Sequence, residues 1–395
     1  MKTEEIKSLF ENYVVPSYRR TLTLARGKGS YAWDADGKKY LDMGGGVAVN
    51  SLGHAHPAVV QALREQAEQL IHASNLYYAE WQGLLAEKLV SLTGAGKVFF
   101  CNSGAEADEA LFKLARKFGH DAGRYEIITA LNSFHGRTMA GIAATGQDKV
   151  KKGFEPAMPG FVHVPFNDLS AVEKAITPKT AAVLIEGIQG EGGIIPATKE
   201  YLLGLRRLTR ERGILLLVDG IQCGFFRTGC FQSYQRILED EKGADFLPDA
   251  IAMAKGLGGG FPIGATWIRA DYADLFQPGS HGSTFGGSPL ACAVALAVIA
   301  TVEKEKLAEN IRAQGERLKQ GLKAMMKAKP IRDVRGMGGM VGVEIEGKAQ
   351  DAVARLAEGG LMVVPAGEHV LRFLPPLNVS ASEIDEALDV MQRQL

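Results

Sequence analysis

Continuous apolar runs without polar alternation recur through the middle of the chain. Five of them, rich in Val, Ile, Leu, Phe or Ala, are residues 98–100, 126–130, 181–185, 214–218 and 252–254. Strands that are covered on both faces carry runs of this kind, as in a parallel sheet. The pattern therefore predicts five strands of a buried, mostly parallel sheet.

Between these runs, apolar residues recur with the spacing of one helix face. One such set is Ala107, Ala110, Leu111, Leu114, Ala115 and Phe118. A second set, which Gly213 would end, is Tyr201, Leu202, Leu205 and Leu208. Alternating strands and helices predict an α/β fold in which helices cover a central sheet.

The two ends of the chain have different patterns. Residues 31–41 have the pattern of a hairpin, with a turn at Asp36-Gly37 between aromatic-rich strands. The C-terminal part predicts one long helix, two strands and a final helix capped by Ser380, namely 289–327, 340–345, 370–374 and the segment from Glu383. We therefore expect a large domain over 46–290 and a small α+β domain built from 1–45 and 291–395.

The composition agrees with two domains and excludes some classes of function. The chain has 395 residues, 47 of them Gly, and its 45 Lys+Arg balance 45 Asp+Glu. Single cores stop growing at roughly 250–300 residues. A neutral charge argues against general binding to nucleic acids or membrane surfaces, which need excess positive charge. Four cysteines are too few for a disulfide scaffold, and no signal-peptide pattern opens the chain, so we expect a cytoplasmic protein.

Four segments that follow predicted strands carry candidate chemistry. They are Asn102-Ser103-Gly104-Ala105-Glu106, Glu186-Gly187-Ile188-Gln189-Gly190-Glu191, Asp219-Gly220-Ile221-Gln222 and Ala254-Lys255-Gly256. Ligands of open α/β sheets bind at the carboxyl ends of strands. The first segment opens a helix, whose free N–H groups bind phosphate. A lysine in a covered site loses its proton readily and attacks carbonyl groups.

Each segment also has an ordinary structural interpretation. Ser103 and Asp219 fit helix caps, and Lys255 fits a solvated loop lysine. Segments 133–138 and 281–289 offer an aromatic ring, an arginine and hydroxyl groups, or simply turns. Together, a phosphate site, two acidic groups and a lysine suit a cofactor with a phosphate, a cationic ring nitrogen and an aldehyde. Pyridoxal 5'-phosphate (PLP) has these groups, and no metal site is predicted.

Ten motifs in a fixed order carry a family resemblance that runs nearly end to end. They begin at Gly29, Leu52, Ser74, Ser103, Phe134, Gln189, Ala254, Gly282, Val334 and Leu371. On these motifs the chain resembles the class III aminotransferases of the fold-type I PLP superfamily, and among them the acetylornithine and ornithine aminotransferases. The resemblance implies a PLP-dependent transferase fold with a large and a small domain.

The resemblance also implies roles for the cofactor site. Lys255 would bind the cofactor covalently and move the substrate's proton, Asp219 would keep the ring nitrogen protonated, and Gln222 would bind the ring hydroxyl. The residues implied to hold the phosphate and to stack on the ring are Ser103, Gly104, Ala105 and Phe134. In this family the pair at Ser283 and Thr284 reaches the phosphate and substrate of the neighbouring subunit, which implies a homodimer with shared sites.

Substrate binding is implied in the same way. Arg372 would bind the α-carboxylate of glutamate or 2-oxoglutarate, and Arg137 a distal carboxylate or that of an acylornithine. A donor that reacts through its terminal amine requires that Arg372 be neutralised, and Glu191 matches the position that does so. Tyr78 would line the donor pocket.

The resemblance leads us to expect transfer of the terminal amine of N2-acetyl-L-ornithine to 2-oxoglutarate. Ornithine, succinylornithine, 4-aminobutyrate and putrescine are alternative donors, and a non-enzymatic member of the family is a further alternative. The chain departs from the family pattern in several places: Gly187 for Pro, Gly220 for Glu, Cys223 for Thr, Ser288 for Asn, and a longer stretch over 235–249. Because Gly220 removes a carboxylate beside Asp219, we expect this departure to change the substrate choice, the pH optimum or the rate.

Overall fold

The computed structural model describes residues 1–241, 243 and 245–395. Its strands are, in chain order, β1 (Leu24–Lys28), β2 (Tyr31–Asp34), β3 (Lys39–Asp42), β4 (Gly96–Cys101), β5 (Glu126–Ala130), β6 (Phe161–Val164), β7 (Thr180–Glu186), β8 (Ile188–Gln189), β9 (Ile195–Pro196), β10 (Leu215–Asp219), β11 (Ala250–Met253), β12 (Gly264–Arg269), β13 (Ile331–Met337), β14 (Met340–Ile345), β15 (Leu361–Met362), β16 (Val364–Pro365) and β17 (Val370–Phe373).

The α-helices alternate with these strands through the centre of the chain. In chain order they are α1 (Thr3–Tyr13), α2 (Gly45–Ala48), α3 (Pro57–Ala67), α4 (Glu80–Thr93), α5 (Gly104–Gly119), α6 (Met139–Ala144), α7 (Leu169–Ala175), α8 (Lys199–Arg212), α9 (Ser233–Ile237), α10 (Pro289–Lys304), α11 (Leu307–Met325), α12 (Ala349–Glu358) and α13 (Ala381–Gln394). Residues 242 and 244, within the stretch expected to be longer than usual, lie outside the described residues.

A seven-stranded sheet in the order β4-β12-β11-β10-β7-β5-β6 forms the centre of the fold. Strand β12 runs antiparallel to both neighbours, whereas the pairs among β11, β10, β7, β5 and β6 are parallel. Every residue of β7, β10 and β11 is buried. The prediction of a buried, mostly parallel sheet is confirmed, and the five apolar runs are β4, β5, β7, β10 and β11.

Helices α5 and α8 form where the apolar periodicity predicts them. In α5 the buried face includes Ala107, Leu111 and Ala115, which pack with residues of β7 and β10. Gly213 ends α8 in the left-handed conformation, with φ of 60°. That conformation favours glycine because it has no Cβ.

Strands from both ends of the chain join one sheet. The hairpin β2–β3 forms with its turn at Gly37, whose φ is 95°, and β3 pairs in parallel with β15. The second C-terminal sheet has the order β13-β14-β17-β16. Ser380 and Glu383 form the expected capping box of α13. The domain bounds at 45 and 290 stay a prediction.

The prediction of one helix over 289–327 is wrong. The segment forms α10 and α11, and Lys306 between them has a left-handed φ of 52°. The break lets α10 pack on α3 and α4 while α11 packs on α13 and β13. Apolar spacing does not show such a break, because each half keeps its own periodicity. In the described ranges no helix has the length and apolar character needed to cross a bilayer.

Candidate active site

A cavity of about 400 Å³ opens at the carboxyl ends of the central strands. Of the residues predicted from the sequence to form a site, eight line it: Ser103, Gly104, Ala105, Phe134, Arg137, Asp219, Gln222 and Lys255. Each follows or ends one of β4, β5, β10 and β11, whose parallel directions bring these ends to one edge of the sheet. Glu186, which ends β7, also lines the cavity.

The N-terminus of α5 forms one end of the cavity. Ser103 caps this helix, since its Oγ accepts a hydrogen bond from Glu106 N at 3.3 Å. The first N–H groups of a helix have no partner within the helix and attract anions. A Cβ on Gly104 would lie 2.9 Å from two side-chain atoms of Ile221, so glycine keeps this end open.

Asp219 is a buried carboxylate held by hydrogen bonds. It is 4 % exposed, its Oδ1 accepts from Ile221 N at 3.0 Å, and its Oδ2 lies 2.9 Å from His135 Nδ1. His135 follows β5, so two neighbouring loops fix the position of the carboxylate. A fixed, buried negative charge in a cavity favours a bound cationic group.

Lys255 lies two residues beyond the end of β11 and lines the same cavity. Its backbone is left-handed, with φ of 46°, which is strained for a residue with a side chain. Burial first, and then the charge of Arg372, lower the pKa of Lys255, although Asp219, Glu191 and Glu186 act in the opposite direction. A lowered pKa raises the share of the neutral amine, which is the nucleophilic form.

Arg372 on β17 binds the side chains of Glu191 and Gln222. Its Nη1 lies 2.6 Å from Glu191 Oε1, 2.7 Å from Gln222 Oε1 and 3.1 Å from the Gly190 carbonyl oxygen. Arg372 is 2 % exposed. Burial raises the pKa of Glu191, but the charge and hydrogen bond of Arg372 outweigh it and lower the pKa. Glu191 is therefore held in its charged form beside Arg372.

The two glycines that depart from the family pattern are packed against neighbours from another segment. A Cβ on Gly220 would overlap Gln232 Oε1, and one on Gly187 would overlap Ser233 Oγ. Ser233 Oγ in turn donates to Cys223 Sγ at 3.2 Å. Gln232 and Ser233 thus occupy the space beside these glycines.

Sequence reasoning missed Asp108 and His135. Both are 1 % exposed, and Asp108 lines the cavity beside Asp219. Helical spacing contained a signal, because Asp108, Leu111 and Ala115 share one buried face of α5. An acidic residue on the apolar face of a helix indicates either that it is paired with another polar side chain or that it has a functional role.

Five predicted residues do not line this cavity in the described chain. Arg372 and Glu191 lie behind Gln222, which Arg372 contacts at 2.7 Å, and the other three are Tyr78, Ser283 and Thr284. Tyr78 is fully exposed, and Ser283 and Thr284 line a separate depression of about 430 Å³ with Ser74, Asn75 and Leu76. Ser283 Oγ accepts from Asn102 Nδ2 at 3.2 Å, next to the cap of α5. The roles of Tyr78, Ser283 and Thr284 stay predictions that depend on a second subunit.

The cavity fits PLP by its own chemistry. The α5 N-terminus suits a phosphate, the buried Asp219 suits a protonated ring nitrogen, and Lys255 has the lowered pKa that suits an aldehyde. Phe134 adds an aromatic face for a ring. The cavity therefore brings together the groups that a phosphorylated heterocyclic aldehyde requires.

Comparisons with known proteins identify the family. The profile described as "Aminotransferase class-III" matches residues 13–395. An acetylornithine aminotransferase from Gloeobacter violaceus is 48% identical over 394 residues, which cover 98% of this chain and 96% of that relative.

Two solved structures share the fold. An ornithine aminotransferase from Toxoplasma gondii, with PLP partly occupying its active site, has a TM-score of 0.93 and 32% identity, covering 100% of this chain and 94% of that one. An acetylornithine aminotransferase from Elizabethkingia anophelis has a TM-score of 0.87 and 31% identity, covering 100% and 99%. The chain therefore belongs to the class-III aminotransferases, a family of PLP-dependent transaminases.

Proposed function

We propose that the protein transfers the terminal amino group of N2-acetyl-L-ornithine to 2-oxoglutarate, which gives the semialdehyde and L-glutamate. The observation that carries this proposal is the pair of Arg372 and Glu191, joined at 2.6 Å beside Lys255. Such a pair lets one site accept an amine donor that lacks a carboxylate at its reacting end. The 48% identical relative named acetylornithine aminotransferase supports this donor.

The cavity supports the cofactor-binding roles that the family resemblance implies. When bound, PLP supplies an electron sink for the negative charge that develops on the substrate carbon that bears the amine. Asp219 holds the proton on the ring nitrogen, and Gln222 binds the ring hydroxyl. Lys255 Nζ would move a proton between that substrate carbon and the cofactor's C4′ atom. The phosphate and ring are held by Ser103, Gly104, Ala105 and Phe134.

The substrate roles divide between two arginines. Arg372 binds the α-carboxylate of 2-oxoglutarate or glutamate once Glu191 releases it, because a guanidinium binds a carboxylate with two parallel hydrogen bonds. Arg137 lines the cavity and binds the distal carboxylate, or the carboxylate of the acylated donor. While Glu191 neutralises Arg372, the uncharged chain and terminal amine of the donor reach Lys255. Tyr78, which is fully exposed and outside the cavity of the single chain, would line the donor pocket.

The proposed enzyme is a homodimer with shared sites. Ser283 and Thr284 would contact the substrate and the PLP phosphate of the partner subunit. Large apolar side chains beside them support this, since Leu76, Tyr77 and Phe285 are 85%, 70% and 63% exposed. Exposed apolar groups that are contiguous mark interfaces. We also propose a cytoplasmic location, which the four free cysteines support.

A panel of amine donors with 2-oxoglutarate tests the proposal. The panel holds N2-acetyl-L-ornithine, ornithine, succinylornithine, 4-aminobutyrate and putrescine, and glutamate formation gives kcat/KM for each donor. We expect the highest value for N2-acetyl-L-ornithine. A higher value for another donor would overturn the donor assignment, and no turnover of any donor would overturn the proposal. Ornithine is the second candidate, because the Toxoplasma gondii ornithine aminotransferase shares the fold at a TM-score of 0.93.

A further inference from the structure

Asp108 is a buried acid that none of the roles above uses. It lies on α5, is 1 % exposed and lines the cofactor cavity. Its Oδ1 is enclosed and has no hydrogen-bond partner within the described part of the chain. One of its carboxyl oxygens, an Asp219 oxygen and a His135 ring nitrogen all lie within 4.8 Å of one another.

The surroundings of Asp108 are mainly acidic. The titratable groups that face it come from five elements: Asp219 at the end of β10, Glu186 at the end of β7, Cys101 at the end of β4, His135 after β5 and Lys255 after β11. Lys255 is the one lysine or arginine in this set. Burial and the charge of Arg372 lower its pKa, so it offsets the acids only in part.

Three neighbouring carboxyl groups in a buried cavity cannot all be charged, because like charges and desolvation both favour the neutral acid. Asp219 accepts a backbone hydrogen bond from Ile221 N at 3.0 Å and lies 2.9 Å from His135 Nδ1. Glu186 accepts two backbone hydrogen bonds, from Phe134 N and Gly190 N, both at 3.3 Å.

Asp108 has no comparable donors in the described chain. Burial and the charge of Asp219 raise the pKa of Asp108 well above its usual range. A carboxylate that accepts hydrogen bonds keeps its charge, and one that lacks donors keeps its proton. Burial and the charge of Asp219 also raise the pKa of Glu186, but its hydrogen bonds from Gly190 N and Phe134 N oppose that rise. Asp108 lacks such donors, so the geometry favours Asp108 as the acid that stays protonated and able to donate.

We propose that Asp108 is a positioning residue, a neutral carboxylic acid that donates a hydrogen bond to Asp219 and supports the negative charge that Asp219 presents to the cofactor ring nitrogen. A donor on Asp219 stabilises its anion, so a proton between Asp219 and the ring nitrogen stays on the nitrogen. The effect on the ring nitrogen rests on the role proposed for Asp219, whereas the protonation of Asp108 does not depend on that role.

Two measurements on the holoenzyme test the two parts separately. The first is the infrared carbonyl stretch of a protonated carboxylic acid, compared between wild type and Asp108→Asn at neutral pH. We expect the band in wild type and its loss in Asp108→Asn. Glu109→Gln is the matched control, because Glu109 adjoins Asp108 on α5 but does not line the cavity, and it should keep the band. A wild-type holoenzyme without the band, or a band that Asp108→Asn leaves unchanged in position and intensity, overturns the proposal.

The second measurement is the ¹⁵N resonance of the ring nitrogen in holoenzyme loaded with ¹⁵N-labelled PLP, followed over pH. Asp108→Asn keeps an N–H donor for Asp219 and should leave the protonated signal in place. Asp108→Leu has no donor and should move the protonation equilibrium of the ring nitrogen by about tenfold or more, which corresponds to roughly 1.4 kcal/mol.

The outcomes separate this inference from the proposed function. An unchanged signal in Asp108→Leu, with a changed one in Asp219→Asn, overturns the role of Asp108 alone. An unchanged signal in both variants overturns the role of Asp219 as well. Asp108→Asn replaces only the carboxyl group with an amide of similar shape. The infrared measurement therefore tests the protonation of Asp108 even where Asp108→Leu does not fold.

Discussion

Arg372 and Glu191 are joined by a 2.6 Å ion pair that crosses between the C-terminal sheet and the loop after β8. The same Nη1 also donates to Gln222, so the arginine is engaged by two side chains at once. Arg372 is buried, whereas the Glu191 side chain is 31% exposed. Glu191 is therefore the partner with room to move, and Arg372 is the fixed one.

This asymmetry predicts unequal effects of Glu191→Ala on the two half-reactions. Without the carboxylate, Arg372 keeps an unneutralised charge in the path of the amine donor, whereas glutamate meets a free arginine. We expect kcat/KM for the amine donor to fall by roughly tenfold or more, about 1.4 kcal/mol, while the glutamate half-reaction keeps its rate or gains. Single-turnover absorbance of the bound cofactor measures each half-reaction.

Glu344→Gln is the matched control for that measurement. Glu344 pairs with Arg335 at 2.7 Å, a similar distance, and neither residue lines the cavity. Its loss should leave both half-reactions unchanged. Equal losses of both half-reactions in Glu191→Ala would contradict the switch.

The packing of Gly220 against Gln232 predicts a coupled effect on stability. A methyl group at Gly220 would overlap Gln232 Oε1, and Gln232 is fully buried, so Gly220→Ala should lower the free energy of unfolding by about 1–3 kcal/mol. Gln232→Ala opens space for the methyl group. In denaturant unfolding the double variant should therefore lose less than the sum of the two single variants. Strict additivity would show that the two residues do not share this space.

Much of the site could be predicted because ligands of α/β sheets bind at the carboxyl ends of the strands. Lys255, Asp219 and Ser103 lie far apart in the chain, but each follows an apolar run, and parallel strands bring such positions to one edge. Strand β12 could not be predicted in this way. It is antiparallel, and its Gly264–Arg269 sequence mixes small and polar residues with the buried Trp267.

The residues that escaped prediction depend on contacts between distant segments. The position of Asp108 on the apolar face of α5 indicates burial, but the sequence does not show that Asp219 at the end of β10 lies beside it. The expected effect of Gly220 on substrate choice, pH optimum or rate stays a prediction, and the sequence does not show that Gln232 and Ser233 from a later loop lie beside Gly220 and Gly187. A single sequence shows which residues are present, and it does not show which distant side chain fills the space beside a glycine.

Subunit hybrids test whether Thr284 serves the partner's site. Lys255→Ala removes the nucleophile, and Thr284→Ala should weaken binding of the PLP phosphate. If Thr284 acts across the interface, a mixed dimer of the two variants holds one site with both defects and one intact site. We expect activity to return in the mixture. If Thr284 served its own subunit, each site of the mixed dimer would carry one defect. The mixture would then be no more active than the two single variants.

The buried acid Asp108 predicts a pH-dependent gain in stability for Asp108→Asn. Burial and the charge of Asp219 raise the pKa of Asp108 in the folded state above the unfolded value of about 3.9. Between these two values the folded state binds more protons than the unfolded state, so the stability of the wild type falls as pH rises. The loss approaches about 1.4 kcal/mol per pH unit until the folded pKa is passed.

Asn has nearly the same shape as Asp but no titrating proton, so the stability of Asp108→Asn does not fall with pH through this position. The thermal midpoints of the holoenzymes should therefore be close near the unfolded pKa of about 3.9 and should separate in favour of Asp108→Asn as pH rises above it. Asp121→Asn, at an exposed aspartate beyond the end of α5, should follow the wild type at every pH. A difference that stays constant or shrinks as pH rises would mean that Asp108 is charged in the folded protein, since an ionised Asp108 does not gain a proton on folding.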